Sequence, residues 1–310
     1  MRPTALFAGY LALALILGAL LAYPVYLWLY PAIDEPMYRF VTRSGMLIAL
    51  LGLPWFLRHQ NLADRRALGY APPWPSLVRD VIMGLIIGVC IMLPLIGGLI
   101  ALDIRIPDPD WVFSGANLAL ALLEGLLAGL LVAPIEETFF RGAMFTAVAR
   151  HSGLWPAALL TSLLYAALHF LTTDYDVPAG ALEWYSGLVS LGYMFEQYTQ
   201  PAALVDSFLA LIAVGMFLAL VRARTGHIAT CIGLHAGWVM TIKLTKDVTV
   251  TNESARFSFL AGDYDGVIGY LALALIATLA IVYAVMTRDR PQSPDAALKQ
   301  VDRSAQSRAQ

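Results

Sequence analysis

The sequence predicts an all-α fold, a polytopic membrane helix bundle of about eight transmembrane helices with both termini cytoplasmic. Three observations carry this. Hydrophobic residues make up 59% of the 310 residues and charged residues only 14%, at a mean hydropathy of +0.69, whereas soluble domains carry about 25% charge. The apolar residues come in repeated runs of about 20, the length that crosses the hydrocarbon core as a helix. Arginines gather in alternate loops, the signature of a fixed orientation in the bilayer.

The runs place spans at 6–30, 38–57, 79–102, 117–149, 154–172, 204–221, 227–246 and 266–286. Residues 1–287 then form one transmembrane bundle, and 288–310 form a polar, disordered cytoplasmic tail. The first run follows Arg2 but is too long for a secretory signal core and lacks a cleavage site, so it is read as a span. Arg58, Arg65, Arg66 and Arg79 follow the second span, Arg150 the fourth, Arg222 and Arg224 the sixth, and Arg288 and Arg290 the eighth, which makes those loops cytoplasmic. The intervening loops are acidic, with Arg39, Arg43 and Arg105 as exceptions on the external side. Trp28, Trp55, Trp111 and Trp155 fall near span ends, where indole rings favour the headgroup layer. In the long connection 172–203, residues 188–195 are apolar enough for a short interfacial or re-entrant piece. The Arg-based loops point to a prokaryotic inner membrane.

Some function classes are disfavoured at once. A net charge of −2 offers no basic surface for nucleic acid. Cys90 and Cys231 both sit inside apolar runs, as packing residues rather than a disulfide or metal pair. The absence of an internal sequence repeat weakens transporter architectures built on repeats.

The informative residues are those that cost most in lipid. The fourth span contains Glu136, Glu137 and Arg141, and one isolated charge at bilayer depth costs roughly 2.5–3.5 kcal/mol on insertion scales. Glu137 and Arg141 are four apart on one helix face and neutralise each other as a supporting pair. Glu136 is rotated by about 100° from Glu137 and needs a partner from another helix. The fifth span offers His169, one turn after Tyr165, and the seventh offers His235. With the turn between spans four and five near residue 152, Glu136 and His169 are each about 16 residues from it and lie level; His235 enters from the same end, slightly shallower. Three spans thus converge on one polar site open to cytoplasmic water, and Ala133, one turn before Glu136 and Glu137, is expected to face that water. His227 reads as interfacial, His59 and His151 as loop residues, and Lys243 and Lys246 as snorkelling outward.

A buried carboxylate beside an imidazole can act as a general base toward water, and a second imidazole can donate to the oxyanion that forms on the attacked carbonyl. The expected catalytic set is Glu136, His169 and His235, supported by Glu137, Arg141 and Tyr165; the substrate is a peptide or membrane protein, met in contact with lipid, and no cofactor is needed. Zinc held by Glu136, His169 and His235 is the alternative. A proton-coupled transporter is another, disfavoured by the aliphatic stretch Leu118 to Val132, which carries only Glu124. A non-catalytic binding or immunity protein of the same fold is the third.

The residues Glu136, Glu137 and Arg141, then Tyr165 and His169, then His235 following Thr225 and Gly226, resemble the CPBP family of CaaX-protease and bacteriocin-processing membrane proteins over a core of 117–245. The resemblance implies an eight-helix glutamic intramembrane endopeptidase with a water-filled cavity, in which Glu136 and His169 activate water and His235 helps to form the oxyanion hole. Two departures stand out. Tyr165 occupies a place where the family usually has Phe, and Val239 stands where it usually has Asn or Asp, four residues after His235. The second removes a polar group from the implied oxyanion hole, which His235 alone, Trp238 or Thr241 is then expected to replace.

Overall fold

The structure, a computed structural model, describes residues 2–175, 177–262 and 264–288. The expected tail lies outside the described residues beyond Arg288. The long helices are α1 (Arg2–Leu29), α2 (Met37–His59), α3 (Trp74–Ala101), α4 (Gly115–Glu137), α6 (Leu154–His169), α8 (Pro201–Thr225), α9 (Ala229–Val248) and α10 (Tyr270–Met286). A π-helical turn, Thr138–Met144, joins α4 without a break to α5 (Phe145–Ser152). A two-stranded antiparallel pair, β1 (Arg105–Pro107) and β2 (Thr249–Thr251), ties the ends of α3 and α9 together in the register Arg105 to Thr251.

The chain is therefore an all-α polytopic bundle. Arg2–Leu29, Met37–His59, Trp74–Ala101, Gly115–Ser152 and Pro201–Thr225 are long and apolar enough to cross a membrane, while α6 and α10 are apolar but shorter. Their outer faces carry exposed Leu, Ile and Val, as helices solvated by lipid tails do. The seventh expected span, α9, belongs to neither group. It carries Lys243, Lys246 and Asp247 in its last two turns, and it is held between α3 and α4.

Glycines explain how α9 comes so close to both neighbours. A Cβ at Gly88 would stand 2.6 Å from the Leu234 carbonyl oxygen, and one at Gly237 2.6 Å from that of Leu85. On the other side, a Cβ at Gly129 would stand 2.5 Å from the Ala236 oxygen. Such seams let backbones approach where lipid supplies no hydrophobic drive for association.

The rest of the bundle falls into two further groups. Helices α6, α8 and α10 pack side by side. Helices α1 and α2 form a hairpin closed by α7 (Ser186–Met194), through a cluster that includes Ala19, Ala22, Phe40, Val41, Leu191 and Met194. The short piece expected near 188–195 is thus a helix packed on α1 and α2. Rings of Phe7, Tyr10 and Phe56 join this hairpin to Phe139 of the π turn.

Two charges differ from their sequence reading. Lys243 does not reach free toward headgroups; it pairs with Glu124 at 3.0 Å and Asp247 at 2.8 Å. Arg105, counted as an external surface cation, is buried and donates to Thr249 Oγ1 at 2.9 Å and Thr251 Oγ1 at 2.8 Å, so it clasps the strand pair instead. Burial lowers its pKa.

Candidate active site

Glu136 and Glu137 are the last two residues of α4, just where the helix widens into its π turn. Pro134 removes one N–H from the helical ladder immediately before, and the Thr138 hydroxyl donates to the Pro134 carbonyl. Isolated π turns inside α-helices are frequent at functional sites. From within this turn, Arg141 Nη1 donates to Glu137 Oε1 at 3.0 Å, and neither side chain is exposed. The pair read from the i,i+4 spacing is therefore present, fully buried.

Glu137 also has a second partner. His235 Nδ1 lies 2.8 Å from the same Oε1, and Nε2 faces Glu136 Oε2 at 3.8 Å. Side chains lean toward the N-terminus of their own helix, and α4 and α9 run antiparallel, so the Glu137 and His235 side chains lean toward each other. Helix α9 thus contributes its imidazole to both carboxylates, and Glu137 sits at the centre of the polar cluster rather than beside it.

Glu136 turns the other way, onto a cavity of about 340 Å³. Glu136, Tyr165, His169 and Tyr264 line it, together with mostly apolar residues of α1 and α2 such as Leu15, Met46 and Leu50. His169 is the last residue of α6. Its Nδ1 lies 2.9 Å from the Tyr165 carbonyl, an acceptor only, so Nδ1 carries the proton and Nε2 of the neutral ring is left as a base. Tyr165 stands between the elements of the site: its ring centre is 4.3 Å from that of His169 and 6.2 Å from that of His235, and the Arg141 guanidinium lies over its face at 4.5 Å. Glu136 and His169 thus share one cavity, while the imidazole that faces the Glu136 carboxylate at 3.8 Å is that of His235.

Two loop tyrosines complete the surroundings, and neither stands out in the sequence, because loop tyrosines follow no spacing rule. The Tyr264 hydroxyl donates to the His169 carbonyl at 3.0 Å, and its ring packs on Phe170. Burial, with Asp265 and Glu136 adding to it, pushes its phenol up to about 12, so it holds its proton at neutral pH. From the loop between α2 and α3, the Tyr70 hydroxyl meets Thr138 Oγ1 at 2.6 Å. The loop also bonds to the π turn's neighbour Thr146 through the Ala67 carbonyl.

Other expectations need correction. Ala133 is fully buried against Ile228, Ile232 and Ala236, and the residue that lines the cavity one turn before Glu136 is Val132. Trp238 packs on Phe217 on the side of α9 toward α8, and the Thr241 hydroxyl donates to the Gly237 carbonyl. Neither lines the cavity, so neither replaces the polar group missing at Val239. His227 pairs with Asp80 at 3.3 Å, and His59 and His151 border a separate cavity with Arg2. Among the described residues, no three His, Cys, Asp or Glu side chains are grouped at metal-binding separations.

Residues 118–241 match the family model of the Rce1-like type II CAAX prenyl endopeptidases. The matched segment contains Glu136, Glu137, Arg141, Tyr165, His169 and His235, and leaves out α1, α2, α3, α10 and Tyr264. Neither the curated proteins nor the solved structures yielded a match.

Proposed function

With residues 118–241 matching the Rce1-like type II CAAX prenyl endopeptidases, a family of proteases, we propose that the protein hydrolyses a peptide bond within the membrane using water activated by Glu136 and His169. The observation that carries this reading is that a carboxylate and an imidazole, both costly in lipid, line one cavity in an otherwise apolar bundle.

In this mechanism Glu136 takes a proton from the attacking water, and His169 Nε2 orients that water. Glu137 holds His235 through Nδ1, which directs Nε2 toward Glu136 and supports its charge. Arg141 pairs with the second carboxylate and offsets its charge. The substrate is a peptide or a membrane-protein segment that lies against the apolar residues of α1 and α2, with lipid as its surroundings and no nucleic acid involved. The reading requires no cofactor. The Arg-rich loops and acidic alternate loops support a prokaryotic inner membrane with both termini cytoplasmic.

The test is Glu136→Gln, which keeps the shape of the side chain and removes the base. New N-termini formed in membranes that produce the wild type should disappear with this variant, while its melting temperature stays unchanged. Equal cleavage by the two proteins would refute the reading. Stoichiometric zinc in the purified protein, with cleavage abolished on its removal, would replace it by a metal-dependent one.

A further inference from the structure

We infer that Tyr165 is a catalytic residue, the hydrogen-bond donor that meets the oxyanion formed on the scissile carbonyl; this rests on the proposed hydrolysis at Glu136. When Glu136 takes a proton from water, the water oxygen bonds to the carbonyl carbon and the C=O π pair moves onto oxygen. The tetrahedral species then collapses by breaking the C–N bond, and the proton from Glu136 passes to the departing nitrogen. Between these two steps the oxyanion needs a donor inside a cavity lined mostly by apolar side chains.

The donors available there are few. Among the described residues that line the cavity, the hydroxyl or ring N–H donors are Thr42, Tyr165, His169 and Tyr264. Thr42 donates to the Tyr38 carbonyl, His169 Nδ1 to that of Tyr165, and Tyr264 to that of His169. Each of these protons is already committed to the backbone. Tyr165 makes its contacts through its ring, with His169 tilted against it, His235 edge-on to it and the Arg141 guanidinium over one face; among the described residues no hydrogen bond engages its hydroxyl, which remains for substrate.

The placement also suits the chemistry. The three packed neighbours, with the Arg141 guanidinium over its face, hold the ring without reorganisation at the moment of reaction. The two positions at which the chain departs from the family pattern then compensate each other. The polar group missing at Val239 on α9 is supplied from α6 by a hydroxyl that Phe lacks.

The test uses the full-length protein in lipid nanodiscs and a synthetic peptide spanning the strongest cleavage site lost in Glu136→Gln membranes. Tyr165→Phe retains the ring packing; it should lower kcat by roughly 100- to 1000-fold, as loss of one oxyanion donor does, with KM and melting temperature little changed. Incorporating 3-fluorotyrosine at 165 retains the hydroxyl and makes it more acidic; kcat should move with this change, which a packing role would not produce. Wild-type kcat in Tyr165→Phe, or a loss that appears only in KM, would overturn the inference while an inactive Glu136→Gln left the hydrolase reading standing. If no cleavage depended on Glu136, both would fall.

Discussion

His235 Nδ1 lies 2.8 Å from Glu137 Oε1, the same oxygen that accepts from Arg141 Nη1 at 3.0 Å. One buried carboxylate oxygen therefore joins three helical segments: the end of α4, the π turn and α9. A charge-assisted contact in such surroundings is expensive to leave half made, because the remaining partner keeps its desolvation cost.

Glu137→Gln should consequently damage folding before chemistry. Removing one member of a fully buried pair costs about 3–5 kcal/mol, and among the described residues Arg141 Nε and Nη2 already have no hydrogen-bond partner. The expected result is a lower yield and a lower melting temperature in mild detergent. A wild-type melting curve for this variant would show that the cluster is not structural.

Tyr264→Phe should lower cleavage roughly two- to thirteenfold, the range of one hydrogen bond of about 0.5–1.5 kcal/mol. The lost bond secures the last carbonyl of α6 and with it the backbone of His169. Because the phenol titrates only at about 12, the wild type should show no titration step attributable to Tyr264 below pH 10. The substitution should therefore lower the pH–rate profile uniformly over that range.

Gly129→Val and Gly237→Val should each prevent assembly, since their side chains would meet a carbonyl oxygen across the helix contact. Gly97→Val is the control on α3, where an added Cβ meets nothing within 4 Å. Size-exclusion profiles of the three variants check this; a monodisperse Gly129→Val protein would contradict the close approach.

A cysteine at Val132, with Cys90 and Cys231 replaced by Ala, should react with a membrane-permeant thiol reagent, because Val132 lines the cavity. A cysteine at Ala133 should remain unlabelled, buried against α9. If the cavity opens toward the cytoplasm, an impermeant reagent applied outside intact cells will leave Val132→Cys unmodified; strong labelling would reverse the proposed orientation.

At the turn between α8 and α9, burial lowers the pKa of His227, with Asp80 acting in the opposite direction and Arg222 and Arg79 reinforcing the shift. The unfolded chain therefore takes up this proton first as pH falls, and stability should decline as pH drops through about 6.5, the ordinary histidine value. His227→Asn should flatten that part of the melting temperature profile between pH 7.5 and 5.5.

What the sequence disclosed about this site came from cost. Glu136, Glu137, Arg141, His169 and His235 stand out because ionisable groups are rare in apolar spans, and helix arithmetic brings the first and fourth level. The sharing of Glu137 by Arg141 and His235 depends on how α4 and α9 cross and how their side chains lean, which spacing along one chain does not encode. The exchange of Ala133 for Val132 on the cavity side has the same origin. One signal was readable in principle: Gly84 and Gly88, Gly125 and Gly129, and Gly233 and Gly237 are each four apart, the small-xxx-small pattern of close helix contacts in membranes. Tyr70 and Tyr264 reach the site from loops and left no comparable mark.

Helix α6 has 16 residues and α10 has 17, so at 1.5 Å per residue each is about 24–26 Å long, short of a hydrocarbon core of about 30 Å. Short spans are accommodated by thinning the bilayer around them. Irregular backbone at membrane depth survives only against protein or water, and here the stretch after His169 is covered by Tyr264 and by Gln197, which donates to the Thr172 carbonyl at 2.9 Å. The membrane surface beside α6 and α10 should therefore dip toward the cavity, and the headgroup layer should come nearer to His169 than it does to any residue at the middle of α1 or α3.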